Sequence, residues 1–254
     1  MEIYYINLAH RTDRRAFMER QFTGLGLAAT RVEALTPIDL SDRQRRATAG
    51  GGMEGALCCV LSHRRAIGDF VASTAAWALI LEDDAVLSGS LPAFLTAFET
   101  TPPVAAVVRI EAATRFHLTI SRGYSEIGRF RLHRYTGWDL GAAGYVISRQ
   151  GAHMVLNTPE PRGLDMDELL FHDVNPLARR LKALQAVPAL CIQAANVSQD
   201  GTHARSDLVN TRKRPSIWRT MFSAIRRDTV EAARKAWWRF ALGGQRTKVP
   251  FDIG

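Results

Sequence analysis

The chain has 254 residues, 46% of them hydrophobic and 23% charged, enough for one large α/β domain or two small ones with a proper core. It contains no run of 18 apolar residues, and Met1 to Leu8 show no basic segment followed by an apolar one, so neither a membrane span nor a secretory leader is expected. The net charge of +8 sits at one end: residues 1–204 hold 21 Lys and Arg against 21 Asp and Glu, whereas residues 205–254 hold 12 against 4. A neutral body with a basic tail points to an anionic surface touched by the tail alone. Two units are therefore expected, a neutral body over 1–204 and a basic tail over 205–254. Cys58, Cys59 and Cys191 form no recognised metal-ligand spacing and read as free thiols in a reducing cytoplasm.

Glu2 to Leu8 reads as a first strand, followed by a helix opening near Asp13, whose acid can cap it, and ending at Gly24 and Gly26. Ala29 to Leu35 completes a β-α-β unit with a right-handed crossover. Ser41 to Gly52 is polar, ends in three glycines and reads as a mobile loop. From Met53 to Ser73, Leu57, Val60, Leu61, Ile67, Phe70 and Val71 recur at helical spacing, with Ser62, His63, Arg64 and Arg65 interrupting the middle. Trp77 to Leu81 suits a strand buried on both faces. A helix near Leu91 to Thr100, a strand Ala105 to Ile110, a hairpin-like stretch through Tyr135 and a helix over Gln150 to Asn157 follow.

The sharpest chemical signal is Glu82-Asp83-Asp84, three carboxylates directly after the buried strand. Ligands of open α/β sheets bind outside such strand ends. Adjacent negative charges beside an apolar core call for a cation, and a hard divalent ion with oxygen ligands suits them; a solvated loop capping the next helix is the alternative reading. Asp165, Asp167 and Glu168 form a second acidic group, either a general base or a helix cap. Arg11, Arg14 and Arg15 follow the first strand, where guanidinium forks suit phosphate oxygens or are simply solvated. Arg109 and Glu111 either orient a sugar or pair with each other. His203 is a further possible metal ligand.

In the tail, Ile217, Trp218, Met221, Phe222, Ile225, Thr229, Ala233, Ala236, Trp237 and Phe240 fall on one helical stripe. Arg219, Arg226, Arg227, Arg234, Lys235 and Arg239 lie beside it. This pattern fits an interfacial helix, each cation contributing roughly 1 kcal/mol at an anionic bilayer, or a helix packed on the body. A nucleic-acid role is not expected, because the body is neutral.

Taken in order, Ile6-Asn7-Leu8 with Arg14-Arg15, Leu61-Ser62-His63, Leu81-Glu82-Asp83-Asp84, Val108-Arg109-Ile110-Glu111, Gly141 to Arg149, the Asp167 segment ending Leu170-Phe171, and Pro188 to Gln193 resemble glycosyltransferase family 25. The resemblance implies a GT-A-type, Rossmann-like mixed sheet flanked by helices, a UDP-sugar donor with UDP-galactose foremost, and inversion at the anomeric carbon. It implies that Leu8, Arg11, Arg14, Arg15, Ser62, His63 and Arg109 line the donor site. Glu82, Asp83 and Asp84 would hold Mn²⁺ or Mg²⁺, and Asp167 would be the general base with Glu111 as rival, expected to stay ionised beside Arg109. The implied setting is saccharide assembly for lipopolysaccharide or lipooligosaccharide, on the cytoplasmic face of the membrane. UDP-glucose as donor, or an inactive membrane-recruited module, are the alternatives.

Overall fold

The computed structural model describes residues 1–48, 53–137, 141–160, 164–173, 175–197, 236–238, 240–241 and 243–253, without the side chains of 114–116. In chain order the elements are β1 (Glu2–Asn7), α1 (Thr12–Leu25), β2 (Thr30–Glu33), α2 (Asp42–Thr48), α3 (Glu54–Ala72), β3 (Trp77–Glu82), β4 (Ala85–Leu87) and α4 (Leu91–Thr100). They continue with β5 (Val107–Arg109), β6 (Ala113–Ile127), β7 (Phe130–Thr136), β8 (Gly144–Ser148), α5 (Arg149–Leu156), α6 (Met166–Phe171), α7 (Pro176–Leu181), β9 (Leu184–Val187), β10 (Cys191–Gln193) and β11 (Gln245–Val249). The expected mixed α/β sheet flanked by helices is present: nine strands run in the order β11-β6-β7-β9-β5-β8-β3-β1-β2, and β10 pairs separately with β4.

Strand β1 pairs in parallel with both β2 and β3, so the predicted β-α-β unit exists. Strand β8 runs antiparallel between β3 and β5, so the carboxyl ends of β3 and β5 open on the same sheet edge. Both faces of these strands are covered, which explains their near-continuous apolar sequence. Alternation decides which residue meets which layer. Tyr4, Ile6, Ala78 and Ile80 pack in the cluster that holds Ile67 and Phe70 of α3, while Ile3, Tyr5, Leu79 and Leu81 pack with Met18 and Phe22 of α1 and Phe94 and Phe98 of α4. Truncating a fully buried member such as Ile80 would cost about 2–5 kcal/mol.

Several local expectations change. Asp13 does not cap α1; Arg11 occupies the cap position, and Asp13 lies in the first turn, its carboxylate gripped by Arg11 at 3.0 and 2.9 Å. Gly26 ends that helix in the left-handed conformation at φ 65°, where a side chain would be strained. Part of the expected loop over 41–52 is α2, opened by a reciprocal cap: the Ser41 amide donates to Gln44 Oε1 at 2.9 Å and the Gln44 amide to Ser41 Oγ at 3.3 Å. The polar residues of α3 do not interrupt it. Ser62 and His63 are buried within a continuous helix, and Arg64 reaches across to donate to the carbonyls of Val155, Leu156 and Thr158 at the end of α5.

The tail is not helical to its end. β11 adds antiparallel to β6 at the sheet margin, Val249 is fully buried, and Phe251 bridges to Ala189. Its β-branched Thr247 and Val249 alternate with exposed Arg246 and Lys248, the pattern of a strand with one covered face. Residues 236–238, 240 and 241 are helical, with Trp237 and Phe240 exposed. The rest of the amphipathic stripe, from Ile217 to Ala233, lies outside the described residues, as does His203.

Candidate active site

Alternation along β3 carries into the acidic run. Glu82 continues the face of Ala78 and Ile80, toward α3, and His63 Nε2 lies 3.3 Å from its Oε1. Asp83 turns the other way, toward α1. Its Oδ1 accepts from Arg14 at 2.7 Å and its Oδ2 from Asn7 Nδ2 at 2.8 Å, in a buried cluster. Asn7 also receives Arg31 Nε on its Oδ1 at 2.9 Å, which locks the amide orientation at the end of β1. Asp84 stands 3.7 Å from Arg14, and its Oδ1 is a buried oxygen with no hydrogen-bond partner. Of the three carboxylates, the middle one is neutralised internally and the outer two are not.

The electrostatics follow from that asymmetry. Burial first, then Asp83 and Asp167, push Glu82 up to about 7 despite Arg14. Burial and Glu82 push Asp84 up to about 7 as well. Two groups raised to the same range at a sheet edge mark a place where positive charge is missing. Oxygen donors of this kind suit a hard divalent ion, and the partnerless Asp84 oxygen fits a ligand position. Glu82 and Asp84 are the carboxylates that would hold it, with Asp83 fixing their backbone turn through Arg14 and Asn7.

Across the same edge, Asp167 is placed by α6. Asp165 and Glu168 form the reciprocal cap of that short helix, the Asp165 amide donating to Glu168 at 3.0 Å. Asp167 lies in the same first turn and serves it as well. Its carboxylate accepts from the Glu168 amide at 2.9 Å and from the Gly141 amide, and burial with Asp165 nearby raises its pKa. Its charge is felt at both His63 and Glu82, so residues 63, 82 and 167 share one neighbourhood.

Arg109 and Glu111 resolve toward each other. Arg109 Nη2 lies 3.4 Å from Glu111 Oε2, and Nη1 donates to Gln185 Oε1 at 2.7 Å and to the Glu111 carbonyl at 2.8 Å. The Ala143 amide donates to Glu111 Oε2 at 2.9 Å. The expectation that Glu111 stays ionised is reversed: burial outweighs Arg109 and pushes it up to about 8. Gly141, at φ 62°, packs so closely that a Cβ would stand 2.5 Å from Glu111 Oε1. One glycine therefore ties Arg109, Glu111 and Asp167 together, which explains a residue type that spacing alone does not.

The remaining predicted residues are more dispersed. Ser62 Oγ accepts from the Leu35 amide at 2.8 Å and donates to the Cys58 carbonyl at 2.6 Å, pinning α3 to the segment after β2. Leu8 accepts from the Arg11 amide at 2.9 Å, closing the turn beyond β1. Arg15 is half-exposed and pairs with Glu19 at 2.8 Å. Of the arginine trio, Arg14 reaches the acidic edge, pairing with Asp83 at 2.7 Å and standing 3.7 Å from Asp84. Asn7, Tyr145, Gly141 and Cys59 were not singled out for a role by residue type. For Cys59 the missed signal was its i,i+4 spacing to His63 on one helix.

Residues 1–170 match the model of glycosyltransferase family 25, described as LPS biosynthesis protein. The chain belongs to this family: it is a glycosyltransferase, an enzyme that works between a sugar donor and a saccharide acceptor. The lacto-N-neotetraose biosynthesis glycosyltransferase LgtB of Neisseria gonorrhoeae is 28% identical over 213 residues, covering 76% of this chain and 74% of that protein. Among solved structures, a glycosyltransferase involved in glycosylation of the major capsid of PBCV-1 aligns at TM-score 0.43 and 11% identity, covering 78% of this chain and 93% of that one. The inositol-1-phosphate CTP transferase of T. maritima aligns at TM-score 0.38 and 10% identity, over 84% and 80%.

Proposed function

We propose that the chain is an inverting, metal-dependent hexosyltransferase that moves galactose from UDP-galactose to a saccharide acceptor in lipopolysaccharide or lipooligosaccharide assembly. The observation that carries the reading is the pair Glu82 and Asp84, half-buried carboxylates at the sheet edge with one enclosed Asp84 oxygen that has no hydrogen-bond partner, while Asp83 is held apart by Arg14 and Asn7. The name of the gonococcal relative, a lacto-N-neotetraose biosynthesis enzyme, supports a surface-saccharide acceptor. When bound at Glu82 and Asp84, Mn²⁺ or Mg²⁺ supplies Lewis-acid neutralisation of a departing diphosphate.

The protein groups then do the following. Asp167 accepts the proton of the acceptor hydroxyl as that oxygen attacks the anomeric carbon; the bond to the UDP oxygen breaks on the opposite face, and configuration inverts. A raised pKa makes Asp167 a stronger base, effective only where it is ionised. Glu111 has less support in that role, because it is enclosed by Arg109, Ala143 and Gly141. Leu8, Arg11 and Arg15 belong to the loop and helix after β1, one strand from Glu82, where Ile6 is its register partner. Arg11 and Arg15 already hold carboxylates of their own, so a donor diphosphate would exchange partners with Asp13 and Glu19. The exposed Trp237 and Phe240 support attachment of the tail to an anionic membrane surface.

Calorimetric titration with UDP-galactose, UDP-glucose and UDP, with and without Mn²⁺, tests the reading. Metal-dependent binding with galactose preferred is expected. Metal-independent binding, or none, would sink it.

A further inference from the structure

On α3, Cys59 and His63 lie one turn apart and face the end of β3. The thiol sulfur, one imidazole nitrogen and a Glu82 carboxylate oxygen all lie within 4.8 Å of one another. The nitrogen concerned is Nε2, 3.3 Å from Glu82 Oε1, because Nδ1 is 3.0 Å from the hydroxyl of Tyr145, whose ring stacks on the imidazole at 5.8 Å. A histidine whose far nitrogen is fixed by a hydrogen bond, with its near nitrogen aimed at a thiol and a carboxylate, has the arrangement of an oriented metal ligand.

This donor set differs in kind from the oxygen pair formed by Glu82 and Asp84. Sulfur, nitrogen and oxygen together favour a borderline-soft ion that accepts four ligands, above all Zn²⁺, and do not favour Mg²⁺. We propose that Cys59, His63 and Glu82 form a binding site for Zn²⁺, with the fourth position left to solvent. Binding makes the sulfur–zinc bond and releases the Cys59 thiol proton to solvent, with no change of oxidation state. In the tautomer that ligates through Nε2, the Nδ1 proton is donated to the Tyr145 oxygen. The thiol is otherwise held protonated by burial and by the charges of Glu82, Asp165 and Asp167, the same charges that attract the cation.

Glu82 belongs to both donor sets, so zinc at this site would draw it away from the oxygen site and slow sugar transfer. That consequence rests on the proposed role of Glu82 in catalysis; the binding itself does not.

The test uses Co²⁺ as a spectroscopic substitute on the purified full chain. Titration should produce a near-ultraviolet thiolate-to-cobalt absorption with strong visible bands, both bleached by Zn²⁺ and untouched by Mg²⁺. In Cys59→Ser the near-ultraviolet band should vanish, and in Cys58→Ser, whose thiol packs with Leu40 and Leu57 instead, it should remain. His63→Gln should weaken Co²⁺ binding at least tenfold. Absence of the thiolate band in the parent chain, or its survival in Cys59→Ser, would overturn the site. If Cys59→Ser fails to fold, mass-spectrometric mapping of alkylation on the unmodified sequence decides: Zn²⁺ should protect Cys59, and unchanged labelling refutes the proposal. None of these readouts depends on transferase activity, so a failure of the UDP-sugar reading leaves them interpretable.

Discussion

Two groups of ionisable side chains share one edge of the sheet, a strand apart, and are built on opposite terms. Around Arg109 and Glu111, the guanidinium lies against the Glu111 carboxyl, and Gln185, Ala143 and Gly141 fill the remaining hydrogen-bonding positions. Around Glu82 and Asp84, whose side chains stay 27% and 17% exposed, compensation stops short: Arg14 is spent mainly on Asp83, and an Asp84 oxygen has no partner. Saturation marks a group that holds loops in place. A deficit of this kind supports the proposed cation site.

Breaking the saturated group should give the largest effect. Arg109→Met leaves the buried oxygens of Gln185, Glu111 and Gly141 without their guanidinium donor and should destabilise the fold by about 3–5 kcal/mol in denaturant unfolding, at about 1–3 kcal/mol for each stranded acceptor; a loss below about 1 kcal/mol would mean that these hydrogen bonds do not hold the loops. Asp84→Asn, by contrast, should lower metal-dependent turnover about 10²- to 10³-fold. The same change should raise the melting temperature of the metal-free protein at pH 8, because it removes a repulsive charge. A lowered melting temperature with full activity would invert the comparison.

The pH dependence sharpens it further. Glu82 and Asp84 have folded pKa values of about 7, above the usual carboxylate values of 4.5 and 3.8. The folded state therefore holds their protons over a window in which the unfolded state has lost them. Metal-free stability should fall as pH rises from about 4 through about 7 and then level off. Affinity for Mn²⁺ should move the opposite way, rising as these acids ionise, up to about tenfold per pH unit for each proton released, and flattening above about 8. Calorimetry at pH 5.5, 7 and 8.5 measures both trends, and a pH-independent affinity would contradict the assignment.

The smallest effect concerns the tail. Because β11 is a strand of the main sheet and Val249 is buried, deleting the C-terminal segment would damage the body and confuse the result. Replacing the exposed Trp237 and Phe240 with Ala should leave stability within about 0.5 kcal/mol. It should weaken binding to anionic vesicles roughly tenfold, readable by co-sedimentation. Unchanged sedimentation would remove these two residues from any membrane contact.

Local sequence determined a good deal. The apolar run Trp77 to Leu81, the 3.6-residue recurrence along α3 and the helix at Leu91–Thr100 all follow from local pattern, since each buries a face whose period is written in consecutive residues. Glu82 to Asp84 likewise stand out in the sequence, because three carboxylates directly after a buried strand call for a cation or for a helix to cap. The reciprocal cap at Ser41 and Gln44 was also there to be read, although its glycine-rich sequel obscured it.

What each acid does was a matter for the tertiary structure. Adjacent carboxylates differ in their partners because α1 brings Arg14 to Asp83 while α3 brings His63 to Glu82, contacts spanning 69 and 19 residues. Asp167 comes near Glu82 and His63 only because α6 packs across the sheet edge, and Glu111 loses its expected ionised state because burial outweighs Arg109. The strand at Gln245–Val249 depends in the same way on β6 offering an edge. Charge and period are properties of neighbouring residues, but desolvation and pairing depend on residues far apart in the chain, and those two effects decide the chemistry here.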